Sequence, residues 1–208
     1  SLCCANNPGM VGELYASGHL RTPDVHAEVF KQLTDSLKIS KVTEADFSSC
    51  GIGPVALGHL SDWVRETTAP VTSINCLANK FGEDDLATLL TAIEGTSIRS
   101  LCGLTEGQTT ADFSRQNLGP MDCKIIAAEY GFRGAIATAA SLCCANNPGM
   151  VGELDDYGRL KTPDVHAEVF KQLTDSLKIS KVTEVDFSSC GIGPVALGHL
   201  SDWVRDAT

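Results

Sequence analysis

Apolar residues between positions 71 and 93 change from a strand-like spacing to a helix-like spacing. Ile74 and Cys76, which follow Val71, point to one side of an extended chain at a period of two. A second set of apolar residues is spaced at three and four positions, as on one face of a helix: Leu86, Leu89, Leu90 and Ile93. The pattern therefore predicts a short strand, a turn and a helix.

Asn79 stands at the predicted bend between the strand and the helix. Its side-chain amide can bond backbone groups that the bend leaves unpaired. Three acids follow at Glu83, Asp84 and Asp85, where negative charge favours the first turn of a helix. One strand and one helix cannot bury this apolar face alone, so we expect further stacked repeats.

A second repeat of this kind spans Lys41 to Pro70. Its strand and turn positions are filled by Val42, Ala45, Phe47, Cys50 and Ile52. The pattern predicts a helix from Pro54 to Arg65 that buries Leu57, Leu60 and Val64. Trp63 lies beside this stripe, so we expect its side chain to be half exposed.

The first repeat contains an insertion. Leu2, Cys4 and Asn7 fill its pattern positions, and a loop from Met10 to Arg21 follows. Thr22-Pro23-Asp24 is predicted to open the next helix, with threonine as its cap. The buried stripe of that helix is predicted to be Val29, Phe30, Leu33 and Leu37.

The fourth repeat, from Ile98 to about Ala135, is irregular. Two segments, Ile98–Cys102 and Ala111–Phe113, could each supply its strand. The sequence does not decide between them. Gln116 takes the position that Asn79 holds in the repeat at residues 71–93, which is the third along the chain, and Leu118-Gly119 resumes the pattern.

The segments 71–93 and 53–64 together resemble the ribonuclease-inhibitor-like leucine-rich repeats. The resemblance covers nearly the whole chain. It implies an α/β solenoid, a curved horseshoe segment with parallel strands on the concave face and helices on the convex face. The two long repeats and the cysteines at leucine positions depart from the family pattern.

Residues 1–68 recur as 141–208, at an offset of 140. Positions 1–65 and 141–205 differ at six places: Tyr15/Asp155, Ala16/Asp156, Ser17/Tyr157, His19/Arg159, Arg21/Lys161 and Ala45/Val185. Five of these differences fall in the inserted loop. We expect a single solenoid of about six repeats across residues 1–208, and we interpret it as part of a longer array.

Composition narrows the possible partners. The net charge of −10 disfavours nucleic acid and anionic membranes as partners and mildly favours basic proteins. No apolar run is long enough to span a bilayer, so we expect no membrane insertion. The nine cysteines are odd in number. Cys4, Cys76 and Cys144 fall on an inward strand position and Cys50 and Cys190 on the asparagine position, and a small buried thiol fits all five. This usage predicts an intracellular, cytoplasmic location, with an extracellular array as the alternative.

The outward side chains of the predicted strands are the candidate protein-binding site. They are small and polar, with a few acids. The predicted contacts on the concave face are Thr43, Glu44, Asp46, Ser48, Thr72, Ser73, Asn75, Arg99, Asp112 and Arg115. The predicted contacts on the inserted loop and the helices are Tyr15, Tyr157, Trp63 and Trp203.

The sequence favours a non-enzymatic protein-interaction scaffold. It shows no spacing typical of a nucleophile with its base or of a metal site, so we expect no catalytic residue, no cofactor and no metal. The alternative hypothesis is a structural repeat protein that assembles with copies of itself into a filament or array, because near-identical surfaces can contact one another head to tail.

Overall fold

The computed structural model describes residues 1–131 and 139–206. These residues fold as a mixed α/β protein with six helices and short parallel strands. The chain divides into two compact units, Ser1–Gly103 and Leu104–Thr208. The predicted end of the fourth repeat, near Ala135, lies outside the described residues.

The first unit contains five strands and three helices. They are β1 (Leu2–Cys3), β2 (Glu13–Leu14), β3 (Leu20–Thr22), α1 (Ala27–Leu37), β4 (Glu44–Asp46), α2 (Pro54–Glu66), β5 (Ser73–Asn75) and α3 (Glu83–Ile93). Strands β1, β4 and β5 form a parallel sheet in that order. Strands β2 and β3 form an antiparallel hairpin.

The described residues of the second unit also contain five strands and three helices, in a different order. They are β6 (Thr110–Asp112), α4 (Pro120–Gly131), β7 (Ser141–Cys143), β8 (Glu153–Leu154), β9 (Leu160–Thr162), α5 (Ala167–Lys178), β10 (Glu184–Asp186) and α6 (Pro194–Asp206). Its parallel sheet has the order β10-β7-β6, and β8 and β9 form its hairpin. The duplicated sequence therefore folds into the same strand, hairpin and helix twice.

The strand, turn and helix predicted for residues 71–93 are confirmed. Ile74, Cys76 and Leu89 are fully buried. The amide of Asn79 holds the bend from inside, because its Nδ2 donates to Cys76 O at 3.0 Å and to Phe47 O at 2.9 Å. This is the role that the sequence predicted for Asn79.

The helix start predicted at Thr22-Pro23-Asp24 is wrong. Thr22 pairs with Glu13 in the hairpin, and α1 begins only at Ala27. Asp24 has a positive φ of 64°, which a helix cannot contain. Its carboxylate instead accepts hydrogen bonds from the N–H groups of Gly53 and Val55, at 2.8 and 2.7 Å, and so caps α2.

Two predictions of side-chain exposure also change. Trp63 is fully buried rather than half exposed, because its ring packs edge-on against Phe47 with centroids 6.3 Å apart. Val29 is exposed rather than part of the buried stripe.

In the second unit α4 packs against α5, whereas the described residues of the first unit provide no helix in the corresponding place beside α1.

Across the described part of the chain, every helix is too short or too polar to cross a bilayer.

Candidate functional site

The candidate face in the first unit is formed by the outward side chains of β4 and β5. Glu44 lies opposite Ser73, and Asp46 lies opposite Asn75. Ala45, between the two acids, is buried in the core. The alternation of a strand therefore directs Glu44, Asp46 and Asn75 away from the core together.

The last residue of a strand repeatedly bonds the turn that follows it. Asp46 Oδ1 accepts hydrogen bonds from Ser48 N at 2.9 Å and from Ser48 Oγ at 2.7 Å. Asp112 Oδ1 accepts one from Ser114 N at 2.9 Å, and Asn75 Oδ1 accepts one from Leu77 N. These bonds fix the side chains of the strand ends in place.

Two carboxylates at strand ends of the second unit, Asp112 and Asp186, have lowered pKa values. Hydrogen bonds from the backbone and then the side chain of Ser114 lower the pKa of Asp112. Hydrogen bonds from the side chain and then the backbone of Ser188 lower the pKa of Asp186. The hydrogen bonds to these two aspartates of the second unit therefore favour their charged form.

Two serines predicted on this face are buried. The Ser48 hydroxyl donates a hydrogen bond to the carboxylate of Asp46. Ser73 lies between two neighbouring segments, because its backbone pairs with Glu44 on one side and with Ser100 on the other. Neither hydroxyl is open to a partner. The prediction that Ser48 and Ser73 are outward contacts is corrected for this reason.

The remaining predicted residues of the first unit border the same face. Thr43 and Thr72 are half-buried, and Thr72 donates both its N–H and its hydroxyl to Thr43 O, at 2.8 and 3.2 Å. Arg99 is exposed, and its N–H donates to Thr72 O at 2.8 Å. Arg99 therefore lies beside Thr72 and adds an exposed positive charge to the first unit.

Asp112 and Arg115 belong to the second unit, where both side chains are exposed. Thr110 and Asp112 lie opposite Ser141 and Cys143, and Cys143 Sγ is 3.9 Å from Asp186 Oδ2. Of the ten residues predicted on the concave face, the structure therefore places eight in the first unit and two in the second.

Both segments that could supply the strand of the fourth repeat pair with a neighbour. Ser100 makes a parallel bridge to Ser73, at the edge of β5. Residues 110–112 form β6, which pairs with β7. The sequence posed these segments as alternatives, but each serves a different sheet.

Glu184 and Asp186 were missed as face residues. Glu184 is the first and Asp186 the last residue of β10, and both side chains are exposed. They correspond to Glu44 and Asp46 through the offset of 140. The duplication itself was the signal that could have found them.

The hairpin tips and the tryptophans separate into exposed and buried groups. Tyr15 and Tyr157 are exposed, and each lies near an arginine of its own hairpin: Arg21 at 5.8 Å and Arg159 at 5.0 Å from the ring centroid. Trp63 and Trp203 are buried, so the prediction of helix contacts at these two residues is corrected. They pack the core instead of offering a surface.

All nine cysteines are free thiols. Burial raises the pKa of Cys50 to about 12 and that of Cys190 to about 11. Each of these thiols donates to the main chain of the neighbouring strand, at Cys4 O and Cys144 O, at 3.0 Å. Among the described residues, no group of three or more His, Cys, Asp and Glu side chains could hold a metal ion.

No family model matches the sequence, and no curated protein is detectably similar to it.

Proposed function

We propose that this chain is a non-enzymatic scaffold of leucine-rich repeats that binds proteins through the exposed face of its parallel strands. The observation that supports this function is the recurrence of acids at outward strand positions. Glu44 and Asp46 on β4 recur as Glu184 and Asp186 on β10, and Asp112 holds the matching position on β6.

The solenoid arrangement is supported by the contact that asparagine makes between successive repeats. Asn79 Oδ1 accepts hydrogen bonds from Cys50 N and Ile52 N, both at 3.1 Å. Asn147 makes the same contact with residues 116 and 118 in the second unit. A bond that recurs between parallel strands is typical of stacked repeats, with strands on the concave face and helices on the convex face.

The chemistry of the face favours a basic partner. Its charged groups are mainly carboxylates, and the chain as a whole carries a net charge of −10. Like charges on a partner would be repelled, whereas lysine and arginine side chains could pair with the strand acids. Binding through such pairs should weaken as the salt concentration rises.

The buried thiols are consistent with a structural role. The thiolate is the reactive form of cysteine, and burial raises the pKa values of Cys123 and Cys144 well above the ordinary value. These side chains fill inward positions of the repeats, where a small apolar group is needed.

The proposal is tested by reversing charge on the face. Peptides that bind the 208-residue chain are selected from a random library. Their affinities are then measured for the double variant Glu44→Lys/Glu184→Lys. The control is Glu28→Lys/Glu168→Lys, which makes the same change of net charge at matched positions of α1 and α5.

We expect the face variant to weaken binding by about 10-fold or more and the helix variant by about 2-fold or less. The selected peptides should be rich in lysine and arginine. Equal losses in the two variants, or a loss confined to the helix variant, would show that the strand face is not the binding surface.

A further inference from the structure

Each of the two hairpins exposes a tyrosine at its tip. Tyr15 is 56% and Tyr157 is 81% exposed, whereas every other phenylalanine, tyrosine and tryptophan among the described residues is buried. Tyrosine is one of the residue types that contribute most to the stability of protein complexes. The two tyrosines are therefore aromatic side chains that a partner can reach and that the core does not use.

The exposure of Tyr157 does not come from a missing neighbouring strand. The second hairpin, β8 and β9, follows β7, which is the central strand of its sheet and pairs with both β6 and β10. The chain is anchored on both sides of this hairpin, because Val151 N donates to Cys190 O and Asp164 N donates to Gly191 O, each at 3.1 Å. The hairpin thus projects from a repeat that has a strand on either side.

The carboxylate of Asp155 fixes the shape of the second tip. Its Oδ1 accepts hydrogen bonds from Tyr157 N and Arg159 N, both at 2.9 Å, and its Oδ2 lies 3.4 Å from Arg159 Nε. The guanidinium of Arg159 lies over one face of the tyrosine ring, 5.0 Å from its centroid. The ring is therefore held in place with its other face open, which lowers the entropy cost of binding through it.

An arginine lies over a tyrosine in both hairpins, although the pair is built from different positions. Tyr15 is covered by Arg21 at 5.8 Å in the first hairpin, as Tyr157 is by Arg159 in the second. Through the offset of 140, Tyr157 corresponds to Ser17. The same backbone thus presents the same exposed pair from two different sets of side chains.

The charges of the second tip leave one carboxylate over. Lys161 Nζ lies 3.0 Å from Glu153 Oε1, and Arg159 is paired with Asp155. Asp156 is exposed, and its carboxylate has no partner in the part of the chain that the structure describes. The unpaired charge beside Tyr157 is therefore negative.

The first tip lacks this carboxylate. Its counterpart of Asp156 is Ala16, and the acid of its strand, Glu13, is paired with Arg21 at 3.5 Å. The two hairpins therefore share the aromatic pair and differ in the free negative charge.

We propose that the tip of the second hairpin binds a lysine or arginine side chain of a partner protein. The cation stacks on the open face of Tyr157 and pairs with the carboxylate of Asp156. An aromatic face attracts cations, and the net charge of −10 on the chain favours a partner of the opposite sign. The first tip, with Ala16 in place of the acid, binds such a side chain more weakly.

This inference rests on the proposed protein-binding function and assigns it a second contact surface, separate from the strand face. The test therefore uses the 208-residue chain carrying Glu44→Lys/Glu184→Lys, in which the strand face is disabled. Peptides that bind this chain are selected from a random library. We expect the selected peptides to contain lysine or arginine.

Substitutions at the tip should weaken binding of these peptides. Tyr157→Ala should raise the dissociation constant by at least ~10-fold, and Asp156→Asn by about 3- to 5-fold. The control is Asp202→Asn, which removes the same charge from an exposed ion pair with Arg205 in the same unit and should change it by about 1.5-fold or less. A library that yields no peptide sensitive to Tyr157→Ala would overturn the inference.

The pairing with Asp156 is tested on the peptide itself. Each lysine or arginine of the tightest peptide is replaced in turn by norleucine, which has an unbranched apolar side chain and no charge. At one position this replacement should abolish the effect of Asp156→Asn, because the carboxylate then has no cation to pair with. Equal effects of Asp156→Asn on the parent peptide and on every norleucine peptide would contradict the pair.

The two tips also provide an exchange that preserves the hairpin. Giving the second hairpin the residues of the first at positions 155–157, 159 and 161 should abolish binding. Giving the first hairpin the residues of the second at positions 15–17, 19 and 21 should double the number of peptides bound per chain. Unfolding midpoints of both variants check the fold. Binding that survives the first exchange would overturn the inference, whereas binding at the strand face of the unchanged chain would be unaffected.

Discussion

Asp24 and Gly53 are 29 residues apart in sequence, yet the carboxylate of Asp24 accepts a hydrogen bond from the N–H of Gly53 at 2.8 Å. The same carboxylate accepts bonds from Val55 N and Ala56 N in the first turn of α2. The inserted hairpin thus ends in a residue that caps the helix of the next repeat. Asp164 repeats this contact with Gly193, Val195 and Ala196.

Loss of this cap should destabilise the first unit. We expect Asp24→Ala to lower the free energy of unfolding by about 1–2 kcal/mol, because three backbone donors at the helix N-terminus lose their acceptor. Asp62→Ala is the control, since Asp62 forms an exposed ion pair with Arg65, and it should cost less than about 0.5 kcal/mol. Urea unfolding measures both variants. Equal effects would contradict the capping role.

The equivalent cap should make the second unit sensitive to acid. Burial alone raises the pKa of the Asp164 carboxyl, but the bonds from Val195, Gly193 and Ala196 outweigh it and lower the pKa below its ordinary value. A carboxylate of this kind stabilises the fold above the unfolded pKa of about 4 and loses that contribution as the pH falls through the folded pKa.

We therefore expect the stability difference between the wild type and Asp164→Asn to shrink as the pH falls from about 6 to about 3. The fluorescence of Trp203, in a Trp63→Phe background, reports on the second unit alone, since the chain has two tryptophans. A difference that stays constant over this pH range would show that the charge of Asp164 contributes nothing to stability.

Local periodicity was enough to predict the strand, turn and helix at 71–93, because each of these elements is specified by residues close in sequence. The cap at Asp24 could not be predicted in this way, since its partners lie about 30 residues further on. The Thr-Pro-Asp sequence also matches an ordinary helix start, and it is excluded by the positive φ of Asp24 and by the pairing of Thr22 with Glu13.

The candidate face was predictable in part for a related reason. Strand alternation directs Glu44 and Asp46 outward, and this requires only the local pattern. The burial of Ser73 and Trp63 depends on neighbours that the local pattern does not reveal. Ser73 is covered by the bridge to Ser100, and Trp63 packs against the ring of Phe47. Long-range packing decides such positions.

The three asparagines at the repeat bend should differ in importance although their local sequences are alike. Asn147 is buried and joins two neighbouring segments, so Asn147→Ala should cost about 2–4 kcal/mol by leaving buried N–H and C=O groups unpaired. Asn79→Ala should behave in the same way. Asn7→Ala should cost below about 1 kcal/mol, because Asn7 is exposed. Equal losses at Asn7 and Asn147 in thermal unfolding would contradict this ranking.

Two glycines near α2 should respond to alanine in opposite directions. A Cβ at Gly53 would lie 2.5 Å from Asp24 Oδ2, so Gly53→Ala should displace the cap and cost about 1–3 kcal/mol. Gly58, inside the helix, has nothing within 4 Å of the corresponding position. Gly58→Ala should therefore stabilise the protein by about 0.5–1 kcal/mol. Paired urea unfolding of the two variants tests the signs, and a stabilising Gly53→Ala would refute the close approach of Asp24.

The cysteines should react in an order set by their burial. Cys3 is exposed, whereas Cys50 and Cys190 are buried and have pKa values of about 12 and about 11. Since the thiolate is the reactive form, we expect alkylation at pH 8 to modify Cys3 in the folded chain and to leave Cys50 and Cys190 unmodified until denaturant is added. Mass spectrometry of peptides after timed labelling measures this order. Labelling of Cys50 as fast as Cys3 without denaturant would mean that the repeat core opens readily, because a buried thiol reacts only when its surroundings open.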